Sequence, residues 1–528
     1  MAPLSTSPNE EVPVQPVRLT GALVLIGFMG AGKSAAARDL AAALGASALD
    51  IDAVLEERLG HTVAEEFAAH GEQAFRALEE QVTCELLERA DSGTVVAVGG
   101  GSVASERVQR ALAAHLTVLL DVDVDRAWER VAKHPDERPL ARDRRAFGAL
   151  LEARAPLYAR LADAIVPARR GVPLRALDAL ARLGAGPPGT RMLWACSASG
   201  DYPVFMGDGL LGSSLWPLDR ERSRPFWVTD ETVRGLYADR LAVGDRVVTV
   251  APGERNKTLA SAERIWHVLV AQGVTRADHL VALGGGVVGD LAGFCAATYQ
   301  RGVPVVHVPT TLVAQVDSAY GGKTGVDLPE AKNYVGAYHQ PAGVLVDPGA
   351  LRSLPDAERA AGFAEVIKTA LIAGGELWRR VSTGEAIDPE MILACVRTKL
   401  AVVDQDERDG GRRQVLNLGH TVGHAIETTS DYAHYRHGEA VGLGLLAALR
   451  LSGREELRAT VATALAAHGL PVRLEHVDCD AVVAATARDK KRLGPQVPFV
   501  LVHEPGDVRP GARVSEAELL AAVAELAA

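Results

Sequence analysis

Gly27-Phe28-Met29-Gly30-Ala31-Gly32-Lys33-Ser34 fills every fixed position of the pattern G-x-x-x-x-G-K-[ST]. The apolar run Ala22–Ile26 before it predicts a buried strand, and the Ala-rich stretch Ala35–Leu44 after it predicts a helix. Strand, glycine loop and helix in that order make a phosphate cradle. The glycines let backbone N–H groups close around phosphate oxygens, and the helix N-terminus adds positive potential. In such a loop Gly30, Ala31, Gly32 and Lys33 cradle the nucleotide's phosphates, Lys33 reaches the β- and γ-phosphates, and the Ser34 hydroxyl holds Mg²⁺. The loop defines a nucleoside triphosphate site and leaves the acceptor open.

A chain of 528 residues has room for about two to four domains. Its 56 basic against 67 acidic residues give a net charge of −11, which argues against non-specific nucleic-acid binding. The 5 cysteines have no CxxC spacing, as suits a reducing compartment. No apolar run reaches the length of a membrane span. Residues 1–17 are polar and Pro-rich without the apolar stretch of a signal peptide, and predict a disordered tail. The expectation is a cytoplasmic protein that acts on small molecules, with no nucleic acid and no membrane among its partners.

The chain reads as α/β. Residues 18–180 alternate short apolar strands (Ala22–Ile26, Ala46–Ile51, Thr94–Val98, Leu116–Asp121) with Ala-rich helices, the rhythm of a parallel sheet in a P-loop domain. The breaker-rich segment 181–190, ending Gly-Pro-Pro-Gly-Thr, predicts a linker. A second, Rossmann-like α/β domain is expected over 191–346, with strands Pro225–Val228, Arg246–Val250, His279–Leu283 and Val305–Val308. Helical patterns dominate the remaining residues 347–528, apart from a late strand at Val497–Val502.

The acceptor site must lie beyond the P-loop. Asp50 and Asp52 fall at the end of the second strand, where one carboxylate can serve the Mg²⁺ shell and the other can accept a hydroxyl proton. The structural alternative is a pair of N-caps for the next helix. Arg76, the triple glycine Gly99-Gly100-Gly101, Arg138 in a charged, lid-like segment, and Arg154 follow. Arginines gathered around a small acceptor suit a carboxylate, which guanidinium grips with a bidentate fork.

Taken in order, these motifs resemble shikimate kinase across nearly all of residues 18–170. The resemblance implies MgATP-dependent phosphorylation of the shikimate 3-hydroxyl. Lys33 and Asp52 would be catalytic, and Ser34 and Asp50 would serve Mg²⁺. Asp52, Arg76 and Arg154 would grip shikimate against Gly99, Gly100 and Gly101, and Arg138 would close onto ATP. A gluconate-kinase-like enzyme explains the P-loop equally well, but not the spacing of Arg76, Gly99–Gly101 and Arg154.

The C-terminal part has a glycine turn of its own, Gly284-Gly285-Gly286-Val287-Val288-Gly289-Asp290, after a predicted strand and opening an apolar helix. Glu254 and Lys257 follow another strand. Thr310, Thr311, Asp317, Lys323, Lys332 and Asn333 crowd the next stretch. So many hydroxyls, carboxylates and lysines at strand ends suggest a polyhydroxylated, phosphorylated ligand beside a nucleotide. His420 and His424 stand at i and i+4 of one helix face, with His437 and Glu365 elsewhere. Two histidines and a carboxylate with one open position make a catalytic Zn²⁺ set, the alternative being helix-face histidines that only hydrogen-bond. Thr421 stands where a zinc protease needs Glu, which disfavours that class.

Together these motifs resemble 3-dehydroquinate synthase over about residues 200–505. The resemblance implies conversion of 3-deoxy-D-arabino-heptulosonate 7-phosphate to 3-dehydroquinate and phosphate, with NAD and a Zn or Co divalent cation. Glu365, His420 and His437 match its metal ligands. Asp230, Glu254, Lys257, Gly284, Gly285, Gly286, Asp290, Thr310, Thr311, Asp317 and Lys332 match the NAD site. Lys323, Asn333, Lys368, Lys399, Arg413, Asn417, His424 and Lys490 or Lys491 match substrate contacts. Of these, Lys323, Lys368, Arg413, Asn417 and His424 are the catalytic candidates. Arg301 matches a residue that reaches the neighbouring subunit's site, which implies a homodimer. Thr232 departs from the Asn often found two residues after Asp230. A glycerol-dehydrogenase-like enzyme shares the plan but not the many substrate lysines and arginines. A kinase half reduced to a nucleotide-dependent regulator is disfavoured by its filled acceptor positions.

Overall fold

Strands buried on both faces read as unbroken apolar runs. Leu23–Ile26 (β1) is such a strand, and Ser47–Asp50 (β2), Thr94–Ala97 (β3), Leu116–Asp121 (β4) and Ala164–Pro167 (β5) complete its parallel sheet in the order β2-β3-β1-β4-β5. The computed structural model describes residues 21–133, 143–168, 172–329, 331–430, 434–486 and 498–527. They divide into two compact units between Gly184 and Ala185. The readings placed on residues 1–17, Arg138, Lys490 and Lys491 lie outside the described residues.

In the first unit Leu23 sits between Val95 and Leu116, so the P-loop leaves the middle of the sheet at its carboxyl edge. The helix after it runs Lys33–Leu44, two residues earlier than expected. Phe28, in the loop, packs edge-on to Phe147 at 4.9 Å, and Trp128 also packs edge-on to Phe147 at 5.3 Å. This aromatic wedge anchors the loop to the helix Arg144–Leu161.

The helix Leu174–Leu183 runs into the segment expected to be a linker. Further along, the Thr190 hydroxyl donates to the Pro187 carbonyl at 2.7 Å. The second unit begins with an antiparallel pair missed in the sequence, Arg191–Ala195 (β6) and Tyr202–Met206 (β7). Its other main strands are Pro225–Asp230 (β8), Val247–Val250 (β9), His279–Gly284 (β10) and Val305–Pro309 (β11). A hairpin, Lys323–Leu328 (β12) with Ala331–Tyr338 (β13), precedes Gly343–Val346 (β14). The main sheet of this unit has the order β6-β7-β14-β11-β10-β8-β9. Chain order reverses at β8, because β9 lies on one side and β10 on the other. Open α/β sheets bind ligands at the carboxyl ends of strands flanking such a switch.

After β14 come the helices Asp356–Ala373, Pro389–Gln405, His420–Thr429 and His437–Leu451, and later the hairpin Phe499–Glu504 (β15) and Asp507–Ala512 (β16). Two glycines set how closely these helices approach. A Cβ on Gly438 would overlap the Ala361 carbonyl, and one on Gly444 would overlap the Gly419 carbonyl. The backbone of His437–Leu451 therefore touches the backbones of two neighbouring elements. No helix among the described residues is long and apolar enough to cross a membrane.

Gly444→Ala should destabilise the second unit by about 1–3 kcal/mol through overpacking. Urea unfolding followed by tryptophan fluorescence measures this; a change below about 0.5 kcal/mol would mean the helix has room to yield.

Candidate active sites

Gly30 and Gly32 have φ of +79° and +90°, in the left-handed region that glycine adopts without strain. Gly32 is the N-cap of Lys33–Leu44 and offers no side-chain cap, so the polarity there favours an anion. The Lys33 ammonium donates to the Gly27 and Phe28 carbonyls at 2.9 and 3.3 Å, across its own loop. Arg130 supports the loop from outside. It donates to the Gly30 carbonyl at 3.0 Å, the Ala31 carbonyl at 3.2 Å and the Ala168 carbonyl at 2.9 Å. Sequence reading missed Arg130, which no motif marks.

The Gly99–Gly101 turn is the hub of the acceptor side. A Cβ on Gly99 would stand 3.0 Å from Asp52 Oδ1, and one on Gly101 would overlap the Arg76 guanidinium. The Gly100 carbonyl accepts from Arg154 at 3.4 Å and from the Tyr158 hydroxyl at 2.5 Å. A Cβ on Gly100 would also lie 3.4 Å from the Gly27 carbonyl oxygen, at the start of the P-loop. Asp52, Arg76, Arg154 and the three glycines therefore meet beside the phosphate cradle. Arg76 is held by Glu79 at 2.6 Å, and buried Glu79 also accepts from Ser102 at 2.8 Å. Glu79, three residues after Arg76, was not anticipated. Asp50 accepts backbone N–H groups from Asp52 at 3.1 Å and Ala53 at 3.4 Å. It is thus the helix N-cap that was the alternative to its Mg²⁺ role.

In the second unit one cavity of ≈ 1070 Å³ opens at the switch point. Asp230, Glu254, Lys257, Gly285, Gly286, Asp290, Thr311, Asp317 and Lys332 line it on the sheet side. Gly284 and Thr310 lie behind that surface, where the Thr310 N–H donates to the Gly284 carbonyl at 3.0 Å. Lys323, Asn333, Lys399, Arg413, Asn417, His420, His424 and His437 line the same cavity. Arg301 is exposed at φ +68° and is not among the lining residues.

The lining is a network of buried charges. Lys257 lies 2.7 Å from Glu254, 3.2 Å from Asp290 and 3.7 Å from Asp327, and donates to Asn333 at 2.7 Å. Burial opposes ionisation of Glu254, but Lys257 and Lys332 outweigh it and hold the carboxyl at about 2. Lys368 lies 2.5 Å from Glu365 and 3.4 Å from Asp317, and Lys399 lies 2.5 Å from Asp317. Asp317 is thereby held well below the usual carboxylate range despite its burial. Lys323 pairs with Asp409, a residue the sequence did not single out. Crowding by protein atoms pushes Lys323 down to about 8, against the pull of Asp409.

Glu365, His420 and His437 offer donor atoms that all lie within 4.8 Å of one another. His420 Nε2 and His437 Nε2 stand 3.5 and 3.3 Å from Glu365 Oε1. Glu365 is fully buried, and neither carboxylate oxygen makes a hydrogen bond of good geometry among the described residues. A buried carboxylate with Lys368 against Oε2 and two imidazole nitrogens facing Oε1 fits a divalent cation with one position left open. Burial disfavours a charged His437 ring, but Glu427 and Glu365 on either side lift it to about 9. His424 lies outside this set, its ring 5.3 Å from that of His420.

A phosphate-cradling α/β unit and a unit with a crevice and a candidate cation site define a chain of two enzymes, a kinase and a synthase. The sequence model of the shikimate kinase family matches residues 29–181. The models "3-dehydroquinate synthase N-terminal" and "3-dehydroquinate synthase C-terminal" match 247–361 and 362–492. A 3-dehydroquinate synthase of Halorhodospira halophila is 45% identical over 334 residues, 60% of this chain and 94% of the relative. The chain belongs to the 3-dehydroquinate synthase family and carries a shikimate kinase domain ahead of it. Among solved structures, a 2-epi-5-epi-valiolone synthase from Streptomyces hygroscopicus subsp. jinggangensis, with NAD⁺ and Zn²⁺ bound, superimposes with a TM-score of 0.56 at 27% identity. That match covers 62% of this chain and 96% of the other. A 2-deoxy-scyllo-inosose synthase complexed with carbaglucose-6-phosphate, NAD⁺ and Co²⁺ shares the fold at 23% identity, with a TM-score of 0.56 over 63% of this chain and 99% of that one.

Removing the buried ammonium in Lys257→Met leaves Glu254, Asp290 and Asp327 facing one another. The expected loss is about 3–5 kcal/mol of stability at pH 7, read by chemical denaturation.

Proposed function

We propose that the first unit transfers the γ-phosphoryl group of MgATP to the 3-hydroxyl of shikimate. The second unit converts 3-deoxy-D-arabino-heptulosonate 7-phosphate to 3-dehydroquinate and phosphate, using NAD⁺ and Zn²⁺ or Co²⁺. The observation that carries the reading for the second unit is a cavity lined by the switch-point residues, the histidine donors, lysines and an arginine. In the first unit Lys33 and Ser34 hold MgATP, and Arg76 and Arg154 grip the shikimate carboxylate. Asp52 accepts the proton of the attacking hydroxyl. Asp50 caps the following helix and would serve the Mg²⁺ shell beside Ser34.

In the second unit NAD⁺, when bound, would supply hydride exchange, and a divalent cation would supply polarisation of hydroxyl oxygens. Glu365, His420 and His437 hold the cation. Asp230, Glu254, Lys257, Asp290 and Lys332 hold the nucleotide beside the Gly284–Gly286 turn. Lys323, Asn333, Lys368, Lys399, Arg413 and Asn417 bind the anionic substrate and exclude water. His424 takes and returns a hydroxyl proton. The protein works in the cytoplasm as a homodimer of its synthase units, with Arg301 reaching the partner's site.

Lys33→Ala should abolish shikimate phosphorylation and leave dehydroquinate formation within about twofold. His420→Ala should do the reverse, as measured in parallel assays on the same preparations. Loss of both activities from either change in a folded protein would rule out independent sites. Lys323 is charged below about pH 8 and neutral above it, so its grip on an anion weakens as pH rises. The KM for the phosphorylated substrate should therefore climb between pH 7.5 and 9.5, and Lys323→Arg should flatten the climb; an unchanged slope would count against Lys323 as the anion contact.

A further inference from the structure

Glu427 belongs to neither the expected metal set nor the expected nucleotide set, yet it touches both. It lies one helical turn after His424 on His420–Thr429 and is 3% exposed. Both of its carboxylate oxygens stand 3.3 Å from His437 Nδ1. Its Oε1 also accepts from Lys332 at 3.0 Å. Lys332 in turn lies 3.2 Å from Glu254, which pairs with Lys257 at 2.7 Å. The opposite nitrogen of the same imidazole, His437 Nε2, faces Glu365 at 3.3 Å.

A neutral imidazole has one protonated nitrogen and one lone pair, and the partner of the first decides where the second points. In the neutral ring that can bind a cation, a carboxylate at Nδ1 keeps the proton there and leaves the lone pair on Nε2, the nitrogen on the Glu365 side. It also makes that nitrogen a stronger donor to a cation. His420 is arranged the same way with a neutral partner, its Nδ1 lying 3.1 Å from the Leu418 carbonyl. The two histidines of the set thus differ in the charge behind them. The one backed by a carboxylate is wired through that carboxylate to Lys332 on the nucleotide side.

We propose that Glu427 is a positioning residue: it fixes His437 as an Nε2 donor and, through Lys332, couples cation affinity to NAD⁺ affinity. This rests on reading Glu365, His420 and His437 as the cation ligands. A second candidate donor set, His424, Glu427 and His437, would make Glu427 a ligand itself, and the test separates the two roles.

The test titrates the metal-free full-length chain with Co²⁺ alone, followed by its visible absorption bands, and with NAD⁺ by calorimetry. Kinase activity of the same samples checks the first unit. Glu427→Gln should weaken Co²⁺ binding by about 10–100-fold with the band positions of bound Co²⁺ unchanged. NAD⁺ binding should weaken several-fold, and Glu427→Asp should recover part of both losses. In the double variant with Lys332→Met, the losses should be less than additive. Co²⁺ affinity within twofold of the parent overturns the proposal. So does a shift of the bands to those of a changed donor set, because Glu427 is then a ligand. If Glu427→Gln does not unfold cooperatively, Glu427→Asp carries the same criteria with a smaller expected loss. Failure of the parent chain to take up Co²⁺ overturns the cation reading as well, and is told apart by that control.

Discussion

The synthase centre depends on backbone meeting backbone. Its three candidate cation donors come from three separate helices, and long-range placement of that kind needs elements that cannot slide. Gly438 against Ala361 and Gly444 against Gly419 supply the stop. The first contact is one residue from His437 and four from Glu365. The second is one residue from His420. Side chains at either glycine would hold the helices apart by the width of a methyl group, more than a coordination sphere tolerates.

The first unit solves a similar problem with a turn. Gly100 is the point where the acceptor residues and the phosphate cradle share a neighbour. Its carbonyl gathers Arg154 and Tyr158, and its Cα side faces the start of the P-loop. A backbone carbonyl holds its place better than a long side chain, so the arginines around it are oriented by something rigid. Glu79 does for Arg76 what Gly100 does for Arg154. In the first unit a buried carboxylate and a backbone carbonyl orient the two arginines.

Much of this was legible in the sequence, for identifiable reasons. β1, β4, β8, β10 and β11 are apolar runs flanked by breakers, and their ends came within a residue or two. The pair β6 and β7 was missed because Arg191–Ala195 and Tyr202–Met206 are short and follow a Gly/Pro-rich segment that suggests a loop. The β12–β13 hairpin was missed because functional residues replace its alternation: Lys323, Lys332 and Asn333 serve the cavity, and Asn333 has φ +57°. The ligand histidines stood out because their type and spacing are rare. Arg130, Glu79, Asp409 and Glu427 did not, because an isolated charged residue on a helix or loop usually faces water. Only the folded chain shows what each of them touches.

The division at Gly184 places two catalysts on one polypeptide. Every translation event delivers one copy of each, so expression of this chain raises both together. Any mismatch between the two reactions has to be absorbed by turnover numbers and substrate levels. Selection on one unit's rate is therefore also selection on the dose of its companion.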